Sequence, residues 1–230
     1  MSTETIGGRY EEICRRVASA CDAAGRAPGE VHLVAISKKQ SPAVIREAAE
    51  CGISVFGENR VQEAAAKIPE CPEGLSWHLV GHLQGNKVQS AAELFDVIHS
   101  IDSLRLLQRM NAACAEAGRT ISVLLQVSVS GEASKFGLAP EEVPLILEAS
   151  IQCMSLDVVG LMTIPPFTPN PEGSAPHFAH LRKLRDQWRA STGIPLDELS
   201  MGMSHDFEIA IREGATTIRI GTALLGARKD

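Results

Sequence analysis

The chain has no long hydrophobic run and no cysteine motif, and these absences exclude several classes of protein. No stretch approaches the roughly 18 consecutive apolar residues of a membrane-spanning helix. The segment Met1 to Tyr10 lacks the basic and apolar regions of a secretory signal peptide. The 6 cysteines are scattered without a Cys-x-x-Cys pair, so neither a zinc ribbon nor a disulfide framework is predicted. We therefore expect a cytoplasmic protein with reduced thiols and no membrane association.

Aromatic residues and positive charge are also scarce. Aromatic residues make up only 4% of the 230 residues, whereas 44% are hydrophobic and 22% are charged. This composition is typical of a globular protein rich in aliphatic strands and alanine-bearing helices. The formal net charge of −6 lacks the basic excess that non-specific nucleic-acid binding requires. A nucleic-acid partner is therefore not expected, although a local cationic pocket for one phosphate is compatible with this charge.

Short β-branched runs alternate with segments of helical periodicity along almost the whole chain. The runs predict strands near residues 31–37, 53–57, 76–81, 96–101, 121–129, 157–164, 198–203 and 216–221. The periodic segments predict helices near 9–25, 41–51, 59–67, 86–94, 103–117, 139–151, 174–191 and 205–213. Residues 165–173 are rich in proline and could link two domains. We assign them to a loop after the sixth strand, because the alternation resumes beyond them.

This alternation predicts an α/β protein, a single (β/α)8 TIM barrel spanning residues 1–230 with an N-terminal helix before the first strand. Closing eight parallel strands into a barrel removes both edges of the sheet. An open doubly wound sheet is the alternative, which is disfavoured because no Gly-x-Gly-x-x-Gly follows the first strand. In a barrel, catalytic and binding residues gather at the carboxyl ends of the strands, and phosphate often binds the loops after strands 7 and 8.

Lys38 ends the first apolar run and is expected at that functional face. A lysine after a buried strand is usually the first solvated residue of a loop. A lysine amine can instead form a Schiff base with a carbonyl compound. The ends of the seventh and eighth runs favour this second interpretation. There, Ser204, Gly221 and Thr222 offer hydroxyls and closely approachable backbone N–H groups to a phosphate. An ordinary helix cap and an ordinary glycine turn would give the same pattern.

Arg219 interrupts the apolar eighth strand, where an unpaired charge is costly to bury. It needs a partner, either a structural carboxylate or the pyridine nitrogen of a pyridoxal phosphate cofactor. An arginine does not readily give up its proton, so beside that nitrogen it would leave the cofactor ring a poor electron sink. Together with Lys38 and the two phosphate loops, Arg219 indicates a pyridoxal phosphate site.

Other polar residues carry weaker signals. His78 and His82 share a face at strand spacing, but no convergent carboxylate or thiol is evident, so no metal site is predicted. The segment Gly81 to Lys87 has neither the glycine spacing nor the final Ser or Thr of a P-loop. Lys135, in the long loop after the fifth strand, is either a surface residue or a second lysine that neutralises phosphate or receives a cofactor in transit.

Several of these segments match a known family. They are Val34–Lys38, Phe56–Glu63, Trp77–Lys87, Gly160–Met162, Leu199–Ser204 and Arg219–Ala223. In these segments the chain resembles the YggS/PROSC family of pyridoxal phosphate homeostasis proteins. That family has the barrel of the alanine racemase N-terminal domain, known as fold type III among pyridoxal phosphate proteins. The segments occur in order over nearly the whole chain and are jointly very specific.

The resemblance implies that pyridoxal 5'-phosphate is the cofactor and is held as a covalent Schiff base, the internal aldimine, on Lys38. It implies that Ser204, Gly221 and Thr222 hold the phosphate and that Arg219 faces the pyridine nitrogen. The residues that would line the ring are Asn59, His78 and Met203.

The resemblance further implies a function in pyridoxal phosphate homeostasis. The protein would bind the cofactor reversibly, buffer or deliver it to pyridoxal phosphate-dependent client enzymes, and affect amino-acid and keto-acid balance without an established reaction. The alternative is a racemase or lyase that uses Lys38 with a base such as His78. Related racemases add a β-rich domain and a tyrosine base, whereas the only tyrosine here, Tyr10, precedes the barrel. We therefore expect no two-base racemase, and we expect a monomer because no apolar helix stripe stands out.

Overall fold

In the computed structural model, which describes residues 5–130 and 136–227, parallel strands close into a barrel. Each strand pairs with the next along the chain, and the last pairs with the first. The strands are β1 (His32–Ile36), β2 (Val55–Glu58), β3 (Ser76–Leu79), β4 (Val97–Ile101), β5 (Ile121–Gln126), β6 (Leu156–Met162), β7 (Glu198–Met203) and β8 (Thr217–Ile220). The predicted (β/α)8 barrel is confirmed.

Helices precede β1 and follow each strand. They are α1 (Ile6–Ala23), α2 (Pro42–Glu50), α3 (Val61–Lys67), α4 (Val88–Leu94), α5 (Leu104–Glu116), α6 (Val143–Ser150), α7 (Ala175–Thr192), α8 (Phe207–Arg212) and α9 (Thr222–Leu225). All predicted helices are present, and residues 165–173 form the loop between β6 and α7, as expected. The short helix α9 was not predicted. Within the described ranges, no helix is long and apolar enough to cross a membrane.

Local sequence sets several of these boundaries. Ser41 precedes Pro42, and proline suits the first position of a helix because its fixed φ is already helical and its missing N–H needs no partner there. Ser103 caps α5 by accepting a hydrogen bond from the backbone N–H of Leu106. The same helix is followed by Gly118 at φ 64°, a left-handed conformation that glycine adopts without strain.

The core lies between the barrel and its helices and inside the barrel lumen. Phe56, Phe95 and Phe207 are completely or almost completely buried. The lumen also holds polar groups, since Nδ1 of His99 on β4 lies 2.8 Å from the hydroxyl of Ser200 on β7, and these strands are not neighbours. Barrel lumens are usually filled by branched apolar side chains. The buried polar side chains therefore indicate that this part of the lumen has a role besides core packing.

Candidate functional site

Lys38 lies at the carboxyl-end face, where only Ser37 separates it from the end of β1. The preceding residue, Ser37, still pairs with β2, because its N–H donates to the carbonyl of Gly57 at 2.9 Å. The chain then turns sharply, with Lys39 at φ 60° and the Gln40 N–H donating to the carbonyl of Ser37 at 2.9 Å. A positive φ is uncommon for a residue other than glycine. The backbone that carries Lys38 is therefore fixed on both sides.

A buried ionic cluster lies behind this turn. Nζ of Lys67 is 2.8 Å from the Ser37 carbonyl, 2.7 Å from Oε1 of Glu58 and 2.8 Å from Oε1 of Glu63. Glu63 also accepts the backbone N–H of Lys39. Burial raises the pKa of the Glu58 carboxyl, and hydrogen bonds from Lys67 and Ser37 oppose that rise. The cluster thus holds both neighbours of the strand-end lysine in place.

The predicted phosphate loops lie beside the end of β1. Strand β8 pairs with β1, and a Cβ placed on Gly221 would be 3.6 Å from Cβ of Ile36. Thr222 begins α9 directly after this glycine. On the other side of β8, Met203 of β7 pairs with Arg219. The ends of β7, β8 and β1 are therefore adjacent, as the sequence predicts.

The turn that carries Ser204 is fixed by a buried carboxylate. Oδ1 of Asp206 accepts the backbone N–H of Met203 at 2.8 Å. Its other oxygen accepts the hydroxyl of Ser174 at 2.9 Å. Ser204 is partly exposed between these bonded residues, and Thr222 is exposed. Both hydroxyls are thus at the mouth of the barrel.

Arg219 is 4% exposed and projects into the lumen. Nη1 donates to the hydroxyl of Ser200 at 2.6 Å, and Nη2 donates to the carbonyl of Thr163 at 2.9 Å. Within the described residues it forms no ion pair, so the structural carboxylate considered from the sequence is not found there. Burial lowers the pKa of Arg219 to about 10, so the guanidinium remains charged at neutral pH.

A hydrogen-bonded chain leads from Arg219 down the lumen. Ser200 accepts from Arg219, and its own hydroxyl hydrogen is satisfied if it donates to Nδ1 of His99. Nε2 of His99 then carries the proton and donates to Nδ1 of His78, 3.0 Å away. Burial lowers the pKa of His78 to about 4 and that of His99 well below its usual value, so both rings are neutral at neutral pH.

The other predicted ring-lining residues lie at different depths. Asn59 follows β2 and is partly buried, and Met203 ends β7 with 36% exposure, so both reach the carboxyl-end face. His78 lies deeper in the lumen and connects to Arg219 through His99 and Ser200. Its contact with a cofactor ring stays a prediction, as do the roles of the other site residues.

His78 and His82 do not form a common site. Nδ1 of His82 lies 3.0 Å from Oδ2 of Asp102, and its ring stacks on Phe136 with centroids 4.1 Å apart. In the ranges that the structure describes, no group of three or more His, Cys, Asp or Glu side chains could hold a metal ion. Lys135 lies outside the described residues.

Sequence reasoning missed two groups of buried polar residues, one behind the turn that carries Lys38 and one in the lumen. Lys67 follows Glu63 at the i, i+4 spacing of a helical ion pair, which is a visible signal. Its second bond, to Glu58, depends on how α3 packs over the end of β2. His99 and Ser200 could have been found as polar residues inside predicted apolar strands.

Comparison with known proteins gives consistent matches over the whole fold. The family model described as "Alanine racemase, N-terminal domain" matches residues 17–229. A curated relative named "Pyridoxal phosphate homeostasis protein" from Pseudomonas aeruginosa is 45% identical over 227 residues, 97% of this chain and 96% of the relative. Another of that name, from Aquifex aeolicus, is 42% identical over 222 residues, 96% of this chain and 97% of the relative.

Solved structures agree. PipY of Synechococcus elongatus with pyridoxal phosphate bound has a TM-score of 0.82 and 40% identity, covering 93% of this chain and 100% of that chain. Alanine racemase from Bartonella henselae has a TM-score of 0.72 but 14% identity, covering 99% of this chain and 60% of that chain. This second likeness concerns the fold alone.

Proposed function

The chain belongs to the alanine racemase N-terminal domain family, and within it to the pyridoxal phosphate homeostasis proteins, and on that premise we propose that it is a reversible carrier of pyridoxal phosphate. The cofactor would be held at the carboxyl-end face by Lys38. One observation carries the proposal. The pairing of β8 with β1 sets Gly221 against Ile36, so the loop that we propose to hold the phosphate lies beside the strand end that carries Lys38.

The donors at this face fit a phosphorylated pyridine. Ser204 and Thr222 supply hydroxyls, and Gly221 lets the backbone approach closely, which suits a phosphate. Arg219 is a buried cation with no carboxylate partner among the described residues. It suits the ring nitrogen, to which it would donate a hydrogen bond. Because it keeps its proton, that nitrogen would remain unprotonated and the ring a weak electron acceptor.

Lys38 would provide the covalent attachment. Its amine would condense with the aldehyde that the cofactor supplies, with release of one water, and addition of water would reverse the attachment. Neither direction needs another reactant. When bound, pyridoxal phosphate supplies the aldehyde and an electron-accepting ring. The residues around it would orient that ring and limit its use as an electron sink, which favours storage and release of the cofactor over turnover.

The racemase or lyase alternative has less support from the geometry. The candidate base His78 is hydrogen-bonded to His99 and lies deeper in the lumen than the strand end that carries Lys38. Tyr10, the only tyrosine in the sequence, is on α1 outside the barrel. The measurement that separates the two functions is exchange of the α-hydrogen of free amino acids with deuterated solvent. Robust exchange that depends on Lys38 would show that the protein is an enzyme, and it would contradict the carrier function.

Attachment is tested by adding pyridoxal phosphate to the protein, reducing the adduct with borohydride and mapping the modified peptide by mass spectrometry. We expect the label on Lys38, and we expect Lys38→Ala to lose both the label and the Schiff-base absorbance band. The matched control is Lys39→Asn, since asparagine tolerates the positive φ of the neighbouring position. This control should keep both signals. An unchanged spectrum for Lys38→Ala would refute the proposed attachment.

Release is tested by mixing the loaded protein with an apoenzyme that requires pyridoxal phosphate. A carrier should restore activity to the apoenzyme, and borohydride-reduced protein, whose cofactor is fixed to the lysine, should not. Retention of all cofactor by the unreduced protein would refute the carrier function.

A further inference from the structure

We propose that the amino-end mouth of the barrel is a second ligand site, which takes a small organic cation with an aliphatic body and a hydroxyl or carbonyl group. A cavity of about 700 Å³ opens there. Small-molecule sites in proteins are typically about 300–1,000 Å³. The lining includes the first residue of each of six strands, which fixes the end of the barrel at which it lies: His32, Val55, Val97, Leu156, Glu198 and Thr217.

The cavity is on the opposite end of the barrel from Lys38. All strands are parallel, so the end where they begin is opposite the end at which Lys38, Ser204 and Thr222 lie. The deep wall includes Val34 and Leu124, which are buried, and His99, which is 1% exposed. Ile151 and Pro195 lie at the exposed rim. Such walls would cover an aliphatic group and leave a polar end near solvent.

The charge of the lining favours a cation. Asp157, Asp197 and Glu198 line the cavity, and no Lys or Arg is among its described lining residues. Asp197 is paired with Arg189 at 2.8 Å, so its charge is partly offset. Glu198 accepts a hydrogen bond from the hydroxyl of Thr217, which leaves its negative charge in place. Asp157 is exposed at the mouth. The rim therefore has a negative potential that attracts positive charge.

The inner end of the cavity offers a hydrogen-bond donor. In the chain from Arg219, Nδ1 of His78 accepts from His99, so the neutral ring of His78 carries its proton on Nε2. This atom has no hydrogen-bond partner in the described part of the chain, and His78 lines the cavity. A hydroxyl or carbonyl on the ligand would satisfy it. The donor inside and the carboxylates outside together set the ligand's orientation.

The probe for this site is butyrylcholine, an ester with an aliphatic tail, a carbonyl group and a quaternary ammonium. Because its nitrogen has no hydrogen, it cannot form a Schiff base with pyridoxal phosphate. Its uncharged control is 3,3-dimethylbutyl butyrate, in which a carbon atom replaces the ammonium nitrogen. Binding of both to the full chain is measured by titration calorimetry and by saturation-transfer NMR, at low and high salt and with or without pyridoxal phosphate.

We expect saturable binding of butyrylcholine that weakens with salt, and clearly weaker binding of the isostere. Asp157→Asn changes an exposed residue and should weaken butyrylcholine binding about threefold, in keeping with a solvent-exposed ion pair. Ser122→Phe places a large ring in the cavity and should abolish binding. Lys38→Ala should bind like the unmodified protein, which separates this site from the proposed cofactor site.

Three results would each overturn the proposal. One is no saturable binding of butyrylcholine, and another is equal affinity for the uncharged isostere. The third is unchanged binding by both Asp157→Asn and Ser122→Phe, which would locate the ligand elsewhere. If Ser122→Phe does not fold, Asp157→Asn alone decides the third result.

Discussion

Nζ of Lys67 lies 2.7 Å from Oε1 of Glu58, and both side chains are buried behind the turn that carries Lys38. The second oxygen of Glu58 has no hydrogen-bond partner among the described residues. A buried ion pair of this kind costs desolvation energy that its attraction only partly offsets. Because Lys67 also bonds the carbonyl of Ser37, the pair links fold stability to the backbone of the candidate site.

Replacing Lys67 by methionine leaves the buried Glu58 without its cation. We expect Lys67→Met to lower the free energy of unfolding by about 3–5 kcal/mol, as for other buried pairs that lose one partner. The measurement is urea unfolding at neutral pH. The loss should be smaller at acidic pH, where the raised pKa lets Glu58 take up a proton and lose its charge.

Glu172→Gln is the matched control for this variant. It breaks the exposed pair between Glu172 and Arg212, and exposed pairs add little to stability. We therefore expect a much smaller change in its unfolding midpoint. Equal stability of Lys67→Met and the unmodified protein would contradict the structural role of the buried pair.

His78 gives a prediction for the pH dependence of stability. Burial lowers its pKa to about 4 in the folded protein, against roughly 6.5 in an unfolded chain. Below pH 6.5 the unfolded state therefore takes up a proton that the folded state does not, and stability falls as the pH falls towards 4. Between pH 7 and pH 5 this residue should account for a loss of about 2 kcal/mol.

The variant His78→Gln keeps a hydrogen-bonding side chain. Between pH 7 and pH 5 we expect it to lose about 2 kcal/mol less stability than the unmodified protein loses. Unfolding in urea at the two pH values measures the difference. His180→Gln, at an exposed position on α7, is the control and should follow the unmodified protein. Parallel pH profiles for His78→Gln and the unmodified protein would show that the ring is not held neutral by burial.

The sequence predicts the barrel and the position of Lys38 because both depend on local patterns. Strand and helix periodicities are visible within short windows, and in a closed parallel barrel every strand end falls on one face. The depth of His78 in the lumen was not predictable in this way, because it depends on the stagger between neighbouring strands. The alternation of side chains along one strand predicts only which of them face the lumen and which face the helices.

Other features depend on packing between distant elements. The contact of Lys67 with Glu58 requires α3 to lie over the end of β2. The cavity at the amino end is the space left by side chains from many strands, and its volume follows from their shapes. The four-residue helix α9 is too short to show a period. None of these could be read from spacing within one segment.

Gly81 provides a test of the loop that carries Asn59. A Cβ on Gly81 would lie only 2.3 Å from the backbone oxygen of Asn59, a contact that requires one of the two segments to move. We expect Gly81→Ala to cost about 1–3 kcal/mol of stability, as overpacking does in a dense interior. If Asn59 borders the cofactor ring, as the family resemblance implies, the variant should also bind pyridoxal phosphate more weakly. Urea unfolding and cofactor titration measure the two effects.

Gly29→Ala is the control, because a Cβ at that position meets nothing within 4 Å. It adds the same methyl group and the same loss of backbone freedom in the unfolded chain, so a difference between the two variants isolates the contact with Asn59. Lower stability of Gly81→Ala with unchanged cofactor affinity would support the close contact between Gly81 and Asn59. It would also show that Asn59 does not border the cofactor. Equal stability of both variants would contradict the close approach itself.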